Sequence, residues 1–297
     1  MKLCLGTVQF GMNYGILGQK KPSLDDAVKC LDYATQNGIS AIDTAEAYGT
    51  AQEVLGAFLS RKTISREKLF ISTKMRPNVL DEYEPEHFEN IITEHLEASL
   101  RTLNTSYVDA YLLHSARYAF RPDILEALYI VREKGLAKKV GVSVYEPEEA
   151  VACFDNPYVS FIQAPYSVFD HRMKKSGVLD NPRKGECEIH TRSAFIQGLI
   201  TMKEEQVPQF LERAKPIIRR IDEVCRKNNV GRVELALAYV KREKAISHLV
   251  FGVDSLEQLK DDIALFQKEI SSSLLSDVER EFEGIDANIV MPSLWKK

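Results

Sequence analysis

Short apolar segments recur along the chain, and longer segments with apolar residues at helical spacing separate them. The apolar segments read KLCLGTV, SAIDTA, LFISTK, VDAYLLH, KKVGVSV, FIQAPY, EIHTRSA and SHLVFGV. Apolar and β-branched residues dominate them without strict alternation, which is typical of parallel strands covered on both faces. The eight segments therefore predict eight parallel strands.

The intervening segments have the pattern of amphipathic helices. In the stretch 23–38, Ser23 stands at the amino-terminal cap position, Asp25 and Asp26 fall in the first turn, and Gly38 ends the pattern. Similar apolar stripes occupy residues 86–104, 122–135, 146–154, 207–228, 233–243 and 255–269. Strands that alternate with helices imply right-handed βαβ crossovers.

We therefore expect a single domain over residues 1–297, an α/β fold of the (β/α)8 TIM-barrel type. No linker rich in Pro, Gly or Ser divides the chain, and the irregular stretch 167–188 is expected to form a long loop. An open doubly wound sheet is the alternative. Such a sheet usually carries a GxGxxG turn after its first strand, and GTVQFGMNYG lacks that spacing.

Composition narrows the classes of partner and the compartment. A formal charge of −4 provides no basic surface for nucleic acid, and no stretch approaches the ~20 apolar residues of a membrane helix. The five cysteines are scattered without a CxxC pair, so we expect a reducing, cytoplasmic environment. Apart from His114, the histidines show no spacing typical of a metal site, and we expect no metal.

Three of the apolar segments end on a polar residue that a simple core would not contain. These residues are Asp43, Lys74 and His114, and Tyr48 follows Asp43 by five residues. Because the carboxyl ends of barrel strands meet on one face, the four side chains can converge there. A nearby ammonium group would stabilise a phenolate, so Lys74 is expected to activate Tyr48, with Asp43 holding the lysine charge. With His114 positioning a carbonyl oxygen, this set suits carbonyl reduction by a hydride from a cofactor.

The order IDTAEAYG, STK, LLH, GVS, Gln163 and GVDSLEQLKDD resembles the aldo-keto reductase superfamily across nearly all of the chain. The resemblance implies a catalytic set of Asp43, Tyr48, Lys74 and His114, with Tyr48 as the general acid or base. It also implies a nicotinamide cofactor, usually NADPH, and a small carbonyl or alcohol substrate. The segments LGTVQFGMNYG and RSAFIQGL resemble a bacterial branch associated with sugar modification.

The resemblance also assigns cofactor contacts one by one. Arg192 stands where many members place an aromatic ring that stacks on the nicotinamide, and we expect it to contact cofactor or substrate. No Lys or Arg begins the last cofactor segment, and Asp254 would repel a 2'-phosphate, so NADH is the alternative to NADPH. The implied cofactor contacts are Gly6, Thr7, Ser143, Gln163, Arg192, Ser193, Phe195, Gln197, Gly198, Gly252, Ser255, Gln258, Asp261 and Asp262.

Each of these residues alone has a simpler interpretation. Asp43 could cap a helix, Lys74 could be an exposed charge, and His114 could be a satisfied core histidine. Two further functions also remain open: a nicotinamide-binding regulatory or sensor subunit, and a cofactor-free barrel aldolase with Lys74 as a Schiff base. The sequence leaves the physiological substrate and the oligomeric state open.

Overall fold

Eight parallel strands close into a barrel in the computed structural model, which describes residues 1–180 and 186–295. Each strand pairs with its sequence neighbours, and β8 pairs with β1 to complete the ring. The strands are β1 Lys2–Gly6, β2 Ala41–Asp43, β3 Phe70–Met75, β4 Val108–Leu113, β5 Ala137–Ser143, β6 Phe161–Pro165, β7 Glu188–Arg192 and β8 His248–Gly252. The predicted (β/α)8 barrel and its eight strand segments are confirmed.

Helices surround the barrel, and their apolar faces pack on its strands. The longer helices are α2 Leu24–Gln36, α3 Ala51–Ser60, α4 Phe88–Leu103, α5 Pro122–Glu133, α6 Pro147–Asp155, α8 Lys215–Asn228, α9 Arg232–Lys241, α10 Leu256–Gln267 and α11 Ser272–Glu281. Single-turn helices are α1 Val8–Gly11, α7 Arg172–Lys175 and α12 Ala287–Val290. None of the described helices is long and apolar enough to cross a membrane.

Helix α8 is shorter than its apolar stripe predicts. The stripe covers 207–228, but the α-helix begins at Lys215 and the preceding residues Gln209–Ala214 form 3-10 turns. Pro216 lies in the first turn of α8, where its missing N–H costs nothing. The proline thus fixes the start of the helix.

The stretch 167–188 was expected to be one long loop, and part of it is regular. It contains α7, a 3-10 turn at Val178–Asp180 and the first residue of β7. Arg172 holds the segment to α6 and to its own turn, because its guanidinium donates to Glu146 and Asp170. Residues 181–185 of the expected loop lie outside the described residues.

Candidate active site

A buried ion pair lies at the carboxyl ends of β2 and β3. Lys74 Nζ donates to Asp43 Oδ1 at 2.8 Å and to Oδ2 at 2.7 Å, and also to the Thr44 carbonyl at 3.0 Å. The two side chains are 0% and 3% exposed. Ser72 and Gln163 donate to the same Oδ1, each at 2.8 Å. Removing a charged pair from water is costly, and full hydrogen bonding of both groups offsets that desolvation cost. Asp43 is therefore the partner of Lys74 and not an ordinary helix cap.

Two aromatic side chains stand next to this pair. Lys74 Nζ lies 5.0 Å from the centroid of the Tyr48 ring, and the Tyr48 and His114 rings meet edge to face at 5.8 Å between centroids. Tyr48 and His114 line the mouth of the barrel, whereas Lys74 lies beneath it. The structure thus brings together the four residues predicted to be catalytic.

Burial keeps both aromatic groups in their neutral forms. Burial, and next the Asp43 carboxylate, raise the pKa of the Tyr48 phenol far above its usual value, while Arg192 lowers it. Burial, reinforced by the charges of Lys74 and Arg192, lowers the pKa of His114 to about 3. The sequence predicts that Lys74 activates Tyr48; the charges that shift the pKa of this phenol most are Asp43, which raises it, and Arg192, which lowers it.

A cleft with a cavity volume of about 450 Å³ opens over these groups. Most of the predicted contacts line it. They are Gly6, Thr7, Asp43, Tyr48, His114, Gln163, Arg192, Ser193, Phe195, Gln197, Gly198, Gly252, Gln258 and Asp262. The cleft thus runs from the four reactive residues to the amino-terminal turns of α10.

Three predicted cofactor contacts lie off the cleft surface. Ser143 is buried at the end of β5, in register with Gln163. Ser255 caps α10, since its hydroxyl accepts from the Gln258 N–H at 3.1 Å. Asp261 is exposed on the outer side of the same helix, because the residue beside it, Asp262, takes the buried position. Ser143 and Ser255 therefore support the residues that line the cleft, and Asp261 faces solvent.

Arg192 supplies the positive charge of the cleft. It is the only Lys or Arg among the described residues that line the cleft, which also contains Asp43, Asp254 and Asp262. Its guanidinium donates to the Val144 carbonyl at 2.8 Å and lies 4.3 Å from the centroid of the Tyr145 ring. A planar guanidinium suits such a stacked position, so the charge is fixed at the reacting end.

The loop that follows β7 adopts strained backbone over the cleft. Ser193, Ile196 and Gln197 all have positive φ, at 66°, 47° and 53°. For a β-branched residue such as Ile196 this conformation is a true outlier, and such strain is concentrated at functional sites. The Ile16 N–H donates to the Gln197 carbonyl at 3.1 Å, which joins this loop to the loop after β1. The two loops together cover one side of the cleft.

Sequence reasoning missed several residues that line the cleft. Among them are Gln9, Tyr14, Gln19 and Tyr145. Tyr14 and Gln19 form an isolated antiparallel bridge within the loop after β1. Burial raises the pKa of Tyr14 to about 12, so its phenol stays protonated. The sequence signal here was weak, since an irregular loop carries no periodicity to show which side chains turn inward.

The polar lining of the cleft fits a nicotinamide dinucleotide. Gln163 Oε1 and Asp262 Oδ2 are both buried, and neither has a hydrogen-bond partner among the described residues. Buried polar atoms normally find partners, so these two acceptors call for donors on a bound molecule, such as a carboxamide or a hydroxyl group. A Cβ at Gly252 would lie 2.2 Å from Gln9 Oε1, so the wall is also close-packed at this point.

Comparison with known proteins agrees with this geometry. The protein Tas of Escherichia coli is 26% identical over 93% of this chain and 92% of its own. The D-arabinose 1-dehydrogenase of Saccharomyces cerevisiae is 26% identical over 84% of this chain and 78% of its own.

Solved structures show the same fold. The aldo-keto reductase AKR11C1 from Bacillus halodurans superposes with a TM-score of 0.76 at 18% identity, covering 99% of this chain and 95% of its own. The thermostable aldo-keto reductase Tm1743 gives 0.69 at 22% identity, covering 94% of each chain. The model of the aldo/keto reductase family matches residues 2–280. With the barrel and the four converged residues, this match shows that the chain belongs to the aldo/keto reductase family and is an oxidoreductase.

Proposed function

We propose that this oxidoreductase transfers hydride between a nicotinamide cofactor and a small aldehyde, ketone or alcohol, with Tyr48 as the proton donor or acceptor. One observation carries the proposal. A buried Asp43–Lys74 ion pair lies beneath two neutral hydrogen-bond donors, Tyr48 and His114, and both donors line the same cleft. The bound nicotinamide supplies or accepts the hydride, because no side chain can. The sugar-modification branch, a cytoplasmic location and a single functional unit over residues 1–297 remain predictions.

Each of the four residues has a separate task in carbonyl reduction. The phenol of Tyr48, kept protonated by burial, donates its proton to the carbonyl oxygen. Neutral His114 donates one N–H to the same oxygen and fixes its position. Lys74 Nζ lies 5.0 Å from the centroid of the Tyr48 ring, and burial together with the Asp43 charge keeps the phenol protonated before substrate arrives.

The cofactor would be held along the cleft by side chains from two strands, β6 and β7, and from helix α10. Gln163 offers its free Oε1 to a carboxamide N–H, and Asp262 offers Oδ2 at the α10 end. Arg192 lies at the reacting end, where we propose that it contacts the cofactor. The strained loop after β7 covers the bound molecule and keeps water from it.

The position of Lys74 argues against the aldolase hypothesis. A Schiff-base lysine needs a free amine that reaches the substrate. All three N–H donors of Lys74 are occupied by Asp43 and the Thr44 carbonyl, and the side chain is fully buried. A carbonyl in the cleft therefore meets Tyr48 and His114 before it meets Lys74.

Replacing Tyr48 with Phe tests the catalytic assignment. Loss of a general acid reduces kcat/KM for carbonyl reduction by about 10²–10⁴-fold. Fluorescence titration should give a cofactor Kd within about twofold of the wild type, because the ring and its packing remain. Tyr118→Phe is the matched control, since its hydroxyl donates to Asp81 outside the cleft. Unchanged turnover in Tyr48→Phe refutes the assignment.

We further propose that the enzyme prefers NADH over NADPH. Asp254 and Asp262 line the α10 end of the cleft, and Arg192, the only Lys or Arg among the described lining residues, lies at the reacting end. A phosphate there would meet the negative charge of Asp254, and a cost of about 1.4 kcal/mol corresponds to tenfold weaker binding. A hydroxyl group, by contrast, can donate to these carboxylates.

Parallel titrations with NADH and NADPH test this preference. The wild type should bind NADH about tenfold more tightly, and Asp254→Ser should reduce that ratio severalfold. Asp261→Asn removes the same charge from an exposed neighbouring position and should leave the ratio nearly unchanged. Tighter binding of NADPH by the wild type contradicts the proposal.

A further inference from the structure

A second group of polar side chains lies at the opposite end of the barrel from the cleft. Glu188 begins β7, His190 follows it by two residues on the same face, and His248 begins β8. The register of the two strands pairs His190 directly with His248. Their ligand atoms all lie within 4.8 Å of one another. Linear spacing concealed this cluster, because His248 comes 58 residues after His190 and only strand pairing joins them.

Two imidazole nitrogens converge on one carboxylate oxygen. His190 Nε2 lies 3.0 Å and His248 Nδ1 lies 3.5 Å from the same oxygen, Glu188 Oε1. A tetrahedral zinc ion bound at about 2.0–2.1 Å from each ligand atom separates those atoms by roughly 3.3 Å. The two N–O separations are close to this value, and all three ligand atoms lie within 4.8 Å of one another.

The other oxygen of Glu188 is held by a different partner. Oε2 forms an ion pair with Lys139 of β5, which leaves Oε1 facing the two imidazoles. The Ser247 hydroxyl donates to Oε1 at 2.9 Å. Supporting hydrogen bonds of this kind orient a carboxylate ligand. Lys139 also places a positive charge near the cluster, which must weaken the binding of a cation.

The cluster is buried at His190 and partly open to solvent at its other two residues. The His190 side chain is 0% exposed. Its Nδ1 is buried without a hydrogen-bond partner among the described residues. The rings of Phe70 and Phe161 pack against His190 at 5.1 and 4.6 Å. Glu188 and His248 keep 18% and 15% of their side chains exposed, so an ion can enter from solvent.

We propose that Glu188, His190 and His248 form a binding site for one divalent transition-metal ion of the zinc class. Two imidazoles and a carboxylate favour zinc, cobalt or nickel over magnesium or calcium, which prefer an all-oxygen set. Three protein ligands leave one position for water. The ion would join β7 and β8 at the end of the barrel remote from Tyr48, and it takes no part in hydride transfer.

Cobalt titration of the untagged, chelator-treated full chain tests the site. The wild type should take up one Co²⁺ per chain, with the visible absorption of a tetrahedral nitrogen- and oxygen-bound ion, and Zn²⁺ should displace it. Zn²⁺ should also raise Tm by about 2–4 °C, because it binds the folded chain preferentially. Absence of stoichiometric uptake by the wild type overturns the proposal, whatever the variants do.

Variants show whether the ion sits at this cluster. His248→Gln, at a partly exposed position, should lose the visible band and the rise in Tm. His87→Gln removes a histidine from an exposed turn and should keep both. Lys139→Met should tighten metal binding roughly tenfold, since a neighbouring cation is removed. Uptake that is unchanged in His248→Gln, or weakened in Lys139→Met, places the ion elsewhere and overturns the assignment.

Discussion

Replacement of Asp262 by Asn should stabilise the cofactor-free protein, and the gain should depend on pH. Asp262 is 3% exposed, and its Oδ2 has no hydrogen-bond partner among the described groups. Burial, and then the neighbouring Asp261 charge, raise its pKa from 3.8 to about 7. The folded protein therefore keeps a proton at this site over a pH range in which the unfolded chain has released it.

The size of the effect follows from this difference in pKa. Because the folded-state pKa is the higher one, stability contributed by the protonated carboxyl is present at low pH and falls as pH rises from about 4 to about 7. Relative to an uncharged side chain, Asp262 lowers the free energy of unfolding by about 4 kcal/mol at pH 8 and by about 1 kcal/mol at pH 4.5, at 1.36 kcal/mol per pKa unit. Asn carries no charge at either pH and avoids this cost.

Urea unfolding of the cofactor-free protein at pH 4.5 and pH 8 measures the effect. The difference in free energy of unfolding between Asp262→Asn and wild type should grow by about 3 kcal/mol between the two pH values. Asp261→Asn, at the exposed neighbouring position, should show a far smaller change. A gain for Asp262→Asn that is equal at both pH values refutes the reasoning, since amide packing alone does not titrate.

Two further variants probe the reacting end. Lys74→Met leaves the Asp43 carboxylate buried without its partner, and urea unfolding should show a loss of about 3–5 kcal/mol that Asp43→Asn partly restores. Simple additivity of the two changes contradicts this coupling. Arg192→Gln removes the cation beside the proposed nicotinamide position, so fluorescence titration should show a severalfold gain in binding of oxidised relative to reduced cofactor. If the ratio of oxidised to reduced cofactor binding is unchanged, Arg192 does not lie beside the nicotinamide ring.

Most of the barrel could be predicted because its strands have a strong pattern. Each strand is buried on both faces, so its sequence is an apolar run that stands out from the flanking helices. Helix α3 was missed, since Gly56 in its centre weakens the helical signal. A Cβ at Gly56 would lie 2.2 Å from the Thr102 carbonyl of α4, so this glycine permits close helix packing. Gly56 thus weakens the helical pattern in the sequence and also allows α3 to pack closely against α4.

The residues of the candidate site that stand at strand ends could be predicted from the sequence. The pKa shift of Tyr48 and the contacts that depend on strand register could not. Asp43, Lys74 and His114 converge because parallel strands bring their carboxyl ends to one face. The direction of the pKa shift of Tyr48 was not predictable, because it depends on how deeply the phenol is buried and on its distance from the Asp43 charge. The cluster of Glu188, His190 and His248 depends on strand register, which linear spacing does not contain.

Stopped-flow oxidation of NADH bound to the wild-type enzyme measures hydride transfer and the role of Tyr48 in one experiment. A series of aldehydes and ketones is mixed with the enzyme–NADH complex, and cofactor fluorescence is followed with NADH in excess. We expect rapid oxidation of the bound cofactor followed by repeated turnover, and loss of the rapid phase in Tyr48→Phe. Bound NADH that persists with every carbonyl, or reacts equally fast without the Tyr48 hydroxyl, contradicts the account and favours a regulatory or sensor function.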